Sequence, residues 1–431
     1  MMRHARAGAF ACALCVLVLC GCAEKGPVPY PPLEDSPPDL RARLMAHLGE
    51  NLVPFWLENC VDEEHGGYLT VLARDGSVRS GEKMLVTQAR QIWAFSRMWR
   101  AGYHDARIER AAAQGLRFLR ERFWDDEYEG WYWQVQRDGT PDDMAKKTYG
   151  HAFVIYAAVE YARAFGDEEA LALARRTFDA LEQHAKDPDN AGYKDFMDRQ
   201  WRAQPGDFGR TKTMNTHLHL MEAFTELYAE TKDARHGERL REVLDILTDR
   251  CYMAEHGCCI DGFNWDWTAS TNEWFGPRNK FTSYGHNVEF AWLMQRAAEV
   301  LGLPPERYRG IGLALIEHAL DYGWDAETGA LYMGGPWRGP ATRRNVQWWV
   351  QGENAVALDW AWRTTGERRF LSALRRQVIW ILDRQADPLY GGWYSDLRPD
   401  GKVSNPDKAT LWHGLYHALR GCLNVGRGSL D

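Results

Sequence analysis

His286 and Glu289 stand three positions apart in Ser283-Tyr-Gly-His-Asn-Val-Glu-Phe-Ala-Trp292, a stretch that reads as the start of a helix. On a helix they share a face, with Cβ atoms roughly 5–6 Å apart. An imidazole titrates near neutral pH, and an adjacent carboxylate can hold its ring and set its tautomer, so the pair suits moving a proton. A core histidine satisfied by a nearby acid has the same pattern. The decision therefore rests on the company this pair keeps.

Polar residues recur inside otherwise apolar helical stretches. They are Gln88 and Arg90; Tyr149 and His151; Asn215, His217 and His219; Trp348, Trp349, Gln351 and Glu353; and Lys408, Trp412, Tyr416 and His417. If these stretches line one funnel, the groups converge, and charge buried there must be paired or functional. Taken singly, each has a plainer role. Arg90 and Glu353 could form one buried ion pair, and Asn215 and His219 a helix-packing hydrogen bond. His151 could cap a turn, and His217 points elsewhere. Tyr149, Trp348, Trp349 and Trp412 could be core aromatics, and two adjacent tryptophans are not expected to face the same way on a helix. His286 and His417 are the leading pair. With no nucleophilic Ser or Cys motif beside them, proton transfer is favoured over acyl transfer.

The elements that must position these groups repeat about every 65 residues. Five helix–turn–helix junctions are alike, around Ala94–Asp105, Ala158–Glu169, Ala223–Ala234, Met294–Pro305 and Leu358–Arg369. Most stop at Gly and restart on a polar residue, which is helix-end chemistry. Gly-aromatic pieces such as Gly66-Gly67-Tyr68, Gly130-Trp131-Tyr132 and Gly391-Gly392-Trp393 mark short hairpins. Six nearly all-apolar helices are expected to start near Lys83, Lys146, Lys212, Tyr284, Asn345 and Lys408. Their amphipathic partners start near Asp105, Asp167, Arg235, Pro304, Glu367 and Leu40. The expectation is an all-α (α/α)6 toroid of six inner and six outer helices with short hairpins at one end. The Leu40 helix closes the ring; an open superhelix is the alternative.

The chain has 431 residues, 45% hydrophobic and 26% charged, with a net charge of -8. That suffices for a large core. The absence of a basic block excludes nucleic acid as an expected partner. Twenty Trp, 18 Tyr and 16 Phe suit a core and also the apolar faces of sugar rings. Arg3 and Arg6 precede an apolar run ending Leu19-Cys20-Gly21-Cys22, the pattern of a bacterial lipoprotein signal. Residues 1–22 are expected to be that signal, with lipid on Cys22, residues 23–38 a Pro-rich tether, and 39–431 one domain. This implies export and lipid anchoring to the bacterial cell envelope, at its periplasmic side or surface, with the lipid as the only membrane contact. Cys60, Cys251, Cys258, Cys259 and Cys422 are too scattered for a disulfide framework, though one bridge is conceivable.

From about Leu40 to the C-terminus the chain resembles the N-acylglucosamine 2-epimerase superfamily, and within it the cellobiose 2-epimerases. The motifs are Met214-Asn-Thr-His-Leu-His-Leu-Met-Glu222, Tyr284-Gly-His-Asn-Val-Glu289, Trp348-Trp-Val-Gln-Gly-Glu353 and Trp412-His-Gly-Leu-Tyr-His417, in family order. The resemblance implies an (α/α)6 barrel that inverts C2 of an open-chain aldose without a metal or other cofactor. One of His417 and His286 removes the C2 proton, His417 acting first on a glucose-type sugar, and the other reprotonates the opposite face. Arg90 is the expected donor to the enediolate oxygen. Glu289 is expected to orient His286, and Glu353 to help open the ring or polarise the side of His417. Tyr149, His151, Asn215, His219, Trp348, Trp349 and Trp412 are expected to bind the sugar. Asn287 and His151 depart from the usual Asp and Gln of the cellobiose enzymes and are expected to alter the second sugar or favour isomerisation.

The expected reaction is thus C2 epimerisation at the reducing end of a β-1,4-linked disaccharide of the cellobiose or mannobiose type. Aldose–ketose isomerisation of mannose or glucose shares the enediolate. Other classes are a metal enzyme using His219-x-x-Glu222 and His286-x-x-Glu289, a glycoside hydrolase using Glu289 and Glu353, and a non-catalytic sugar-binding lipoprotein.

Overall fold

The computed structural model describes residues 37–206, 208–272 and 280–430. The expected signal, Cys22 and nearly all of the expected tether lie outside the described residues. Pro37 and Pro38, assigned to the tether, already belong to the first helix.

Twelve helices alternate between two concentric layers among the described residues. The outer ones are α1 (37–59, with a π turn at Leu48–Leu52), α3 (Ala106–Arg122), α5 (168–185), α7 (234–251), α9 (Pro305–Tyr322) and α11 (368–385). The inner ones are α2 (Leu85–Arg100), α4 (Thr148–Phe165), α6 (Met214–Thr231), α8 (Tyr284–Val300), α10 (Trp348–Thr365) and α12 (Tyr416–Arg427). Each inner helix packs on the next, α12 returns to α2, and α1 packs on α12. The ring is closed, so the toroid expectation holds and the open superhelix does not.

The two layers follow from the two patterns of sequence. The inner α4 is buried from Gly150 through Ala162, as a helix surrounded by helices must be. The outer α3 buries Ile108, Ala111, Ala112, Gly115, Leu116 and Leu119, a stripe at helical spacing, and keeps its arginines outside. Asp105, Asp167 and Asp233 cap the outer helices by accepting backbone N–H groups. Gly166 and Gly366 end their inner helices in the left-handed conformation; in the third repeat Lys232 takes that role at φ 53°.

Hairpins cover one end of the ring. The strand before each of five inner helices pairs with the hairpin of the next repeat: Lys83–Met84 with Gln134–Val135, Lys146–Lys147 with Phe196–Met197, Thr211–Thr213 with Gly262–Asn264, Phe281–Ser283 with Gly334–Pro336, and Val346–Gln347 with Asp396–Leu397. Leu72 bridges Ala409 and closes this circuit. The sixth inner helix starts at Tyr416, not near Lys408, so Trp412 sits on the loop before it.

Two buried devices repeat around the ring. Lys83, Lys146, Lys212 and Lys408 each place an ammonium on a buried aspartate: Asp62 at 2.9 Å, Asp125 at 3.0 Å, Asp187 at 2.6 Å and Asp387 at 2.9 Å. Lys408, expected among the convergent polar groups, is one of these locks. Second, five inner helices each use one polar side chain to latch the backbone of a hairpin. Gln88 accepts from Tyr68 N–H at 2.8 Å, His151 from Trp131 at 3.0 Å, His217 from Tyr193 at 3.1 Å, Asn287 from Cys259 at 3.2 Å and Gln351 from Leu331 at 3.0 Å. These strand ends have no continuous ladder to satisfy them, so the helix supplies the partner. Gly130 makes room: a Cβ there would lie 2.7 Å from His151 Nε2. All five described cysteines are buried free thiols.

Lys212→Met strands the Asp187 carboxylate in the core and is expected to cost about 3–5 kcal/mol. Replacing both partners, Lys212→Met with Asp187→Leu, is expected to recover more than half of that loss in urea unfolding. An equal loss in the double variant would contradict the lock.

Candidate active site

The first turns of the inner helices open into one cavity of about 320 Å3, a size suited to a small ligand. Ten of the twelve expected site residues line it: Arg90, Tyr149, Asn215, His219, His286, Glu289, Trp348, Trp349, Trp412 and His417. Glu353 lies behind His417, and His151 is outside.

The Trp349 indole lies against both leading imidazoles, with ring centroids 4.9 Å from His286 and 5.8 Å from His417. Gly285 permits this, since a Cβ there would come within 2.5 Å of Trp349 Cη2. Trp348 also faces the cavity and stacks on His413 at 4.2 Å. Adjacent residues both reach it because they open α10, where the helix end itself faces the mouth; the expectation that only one could do so was drawn from a helix interior.

His417 Nδ1 donates to Glu353 Oε1 at 2.7 Å, which leaves Nε2 free as an acceptor. Both Glu353 oxygens are engaged: Oε1 also accepts from Arg420 at 2.7 Å, and Oε2 accepts from Trp292 Nε1 at 3.0 Å. Of its two expected roles, polarising His417 fits and opening the ring does not. It does not pair with Arg90 either. Arg90 donates to the Tyr149 hydroxyl at 2.9 Å and lies over the Phe153 ring at 4.2 Å, and its Nε has no partner. His219 bonds Glu222 at 2.8 Å rather than Asn215, whose Oδ1 is unpartnered.

Glu289 does not orient His286. Its Oε1 accepts from Arg420 at 2.5 Å and its Oε2 has no partner, while His286 Nδ1 is likewise unpartnered. His286 is placed instead by helix capping, its backbone N–H donating to the Ser283 hydroxyl at 3.3 Å. Burial, reinforced by the Arg90 charge, lowers its pKa. Burial, with Arg90 and Arg420, pushes His417 well below the usual imidazole range. Both rings are therefore neutral at pH 7.

Arg420 is the hub that sequence reasoning missed. It is buried and binds Glu222, Glu289, Glu353 and the Tyr416 hydroxyl. One guanidinium cannot balance three carboxylates in a dry site. Burial works to raise Glu222, but the Arg420 charge and the hydrogen bonds of His219 and Tyr416 hold it down at about 2. Glu289 has only the guanidinium, so burial and the neighbouring Glu353 charge push it up to about 8. Burial also raises Glu353. Arg420 had a visible signal: it follows His417 by three positions inside an apolar helix.

This hub bears on the competing classes. Donor atoms of Glu289, Glu353 and His417 lie within 4.8 Å of one another, yet Arg420 already places a fixed cation on both carboxylates. Glu353 has no free oxygen for a scissile bond, so it and Glu289 are not a hydrolase pair. The two departures from the cellobiose pattern, His151 and Asn287, are hairpin latches and do not line the cavity.

A family model described as N-acylglucosamine 2-epimerase (GlcNAc 2-epimerase) matches residues 66–421. The chain belongs to the N-acylglucosamine 2-epimerase family. It is a carbohydrate epimerase. It is 31% identical to the cellobiose 2-epimerase of Bacteroides fragilis, over 90% of this chain and 98% of that one. The solved cellobiose 2-epimerase of Spirochaeta thermophila superposes with a TM-score of 0.81 at 32% identity, covering 91% of this chain and 96% of its own. A D-mannose isomerase shares the fold at a TM-score of 0.80 and 22% identity, covering 93% and 100%.

For this epimerase, the site predicts a pH effect. A carboxyl whose native pKa is raised stabilises the fold below its unfolded value, about 4.3, and loses that contribution as pH rises to about 8. Glu289→Gln mimics the protonated form. Its Tm relative to the natural protein is expected to climb between pH 5 and 9, and a pH-independent difference would contradict the assignment.

Proposed function

We propose that the protein epimerises C2 of the reducing-end aldose of a β-1,4-linked disaccharide, of the cellobiose or mannobiose type, by two-histidine proton transfer. The observation that carries this reading is one cavity presenting two neutral imidazoles against the same indole, one with its tautomer set by a buried carboxylate. A neutral imidazole is the form that can take a proton. In the open-chain sugar the C2 proton is acidified by the adjacent aldehyde. His417 Nε2 removes it, and electron density moves onto the C1 oxygen. Arg90, with free donors at the cavity wall, stabilises that enediolate oxygen. The new negative charge raises the basicity of His286, which takes a proton from solvent and delivers it to the opposite face of C2, while His417 releases the proton it removed to solvent and returns to the neutral base. The reverse reaction exchanges the roles. Glu289 lines the cavity and its Oε2 has no partner; with burial pushing its pKa up to about 8, it is suited to donate to a sugar oxygen during ring opening.

Aldose–ketose isomerisation of mannose or glucose differs only in where the enediolate is reprotonated. Incubation in D2O with cellobiose, mannobiose and mannose, followed by NMR, decides between them. Deuterium at C2 with inverted configuration is expected; a ketose as the main product would establish isomerisation. His286→Ala and His417→Ala are each expected to lower epimerisation by about 10²–10⁴-fold. Retained sugar binding in those variants separates catalysis from folding. Turnover left intact in either would overturn the two-base reading.

We further propose that the protein acts as an exported lipoprotein anchored through Cys22, where oligosaccharides arrive from outside the cell. Cys22→Ala is expected to move it from the membrane fraction to the soluble fraction.

A further inference from the structure

The polar wall at the cavity mouth has a construction that the reaction itself does not require. Arg90, His219, Glu289 and His417 are buried, whereas Gln347, Asp396, Asn405 and Thr410 are partly exposed and Trp412 is half-exposed. The cavity thus has a deep catalytic half and an outer half. Gln347, Asp396 and Asn405 lie directly opposite one another on three adjacent strands, with Gln347 paired to Asp396 and Asp396 to Asn405. Cross-strand partners share a face of the sheet, and all three line the cavity.

The remaining hydrogen-bonding capacity singles out one group. Ser395 Oγ donates to Asp407 O at 2.8 Å and contacts His413 Nδ1 at 2.7 Å. Thr410 Oγ1 accepts from the backbone of Trp412 and His413. Ser395 is thus engaged by Asp407 and His413, and Thr410 has taken up its accepting capacity and keeps only its O–H as a donor. Gln347 spans Trp349 Nε1, from which it accepts at 2.9 Å, and Asp396 Oδ2, to which it donates at 3.4 Å. Asp396 receives only that bond and one from Asn345 at 3.1 Å, against roughly four acceptor sites on a carboxylate. Beside it, the Asn405 side chain accepts from Asp407 N–H at 3.1 Å, which leaves its amide donors for the cavity.

We infer that Asp396, assisted by Asn405, is a specificity-determining residue that binds the hydroxyls of the second sugar ring, the one that does not react. The carboxylate accepts from adjacent hydroxyls, the amide donates to one, and the indole of Trp412 covers the apolar face of the ring. The inference rests on the proposed action on a disaccharide. It separates discrimination between sugars from catalysis: the outer row decides whether a second ring is held, and the deep half performs the proton transfer.

Steady-state kinetics of Asp396→Asn and Asn405→Ala with cellobiose and with glucose test this. Asp396→Asn is expected to raise KM for cellobiose about tenfold with kcat nearly unchanged, and to leave kcat/KM for glucose as it was. Asn405→Ala is expected to do the same to a smaller extent. Gln347→Ala, which releases Trp349, is expected instead to lower kcat on both sugars. An equal loss on both sugars in Asp396→Asn, or a loss in kcat alone, would overturn the inference and leave Asp396 as a support for Gln347. Should the natural protein turn over none of cellobiose, mannobiose and glucose, the proposed reaction fails. Titration of Trp fluorescence with cellobiose and glucose then still decides, because only cellobiose affinity is expected to fall in Asp396→Asn.

Discussion

One buried guanidinium holds the middle of this protein together. Arg420 binds carboxylates from three inner helices, Glu222 on α6, Glu289 on α8 and Glu353 on α10, while itself standing on α12. Four of the six inner helices are thereby tied at one point beneath the cavity. The arrangement costs desolvation that no single ion pair would repay. Its outcome is chemical as well as structural. With one cation for three acids, the carboxylates cannot titrate alike, and each takes a different state according to its remaining partners. Glu222 is fully served and ionised, Glu353 is committed to His417, and Glu289 is left able to carry a proton. A single residue so prepares a fixed base and a neutral acid side by side.

The ring makes such a hub possible. Each repeat contributes one inner helix, and the locks and latches fix the hairpin end of most of them to the same depth. Buried Lys–Asp pairs recur in four repeats and hairpin latches in five, so the first turns of the inner helices emerge around one mouth. The chemistry sits at those first turns, where side chains project inward without having to cross the packed ring. The fold thus separates two tasks: its repeats build a level rim, and its departures from the repeat furnish the site.

That separation explains what could be read from the chain. The helices, their two layers and the closing of the ring follow from apolar periodicity and helix-end residues, and His286 and His417 stood out as polar groups in apolar surroundings. The same signal misled at His151. An imidazole that satisfies a hairpin N–H and one that abstracts a proton are equally conspicuous in an apolar helix, and only the direction of the ring distinguishes them. Asn287, weighed only as a departure from the cellobiose motif, is a latch as well. Glu289 was assigned to His286 because spacing permits that contact, but spacing does not reveal that a guanidinium from the other end of the chain competes for it. The row of Gln347, Asp396 and Asn405 left no trace, because strand pairing between distant residues brings it together.

The central claim is that His286 and His417 address opposite faces of one carbon. A crystal structure with the open-chain alcohol cellobiitol, which cannot react, tests it most directly. The account predicts C2 lying between the two imidazoles, with His417 Nε2 and one His286 nitrogen each about 3–3.5 Å from it. A ligand whose C2 meets only one of these rings, or has His219 as its second neighbour, would contradict it.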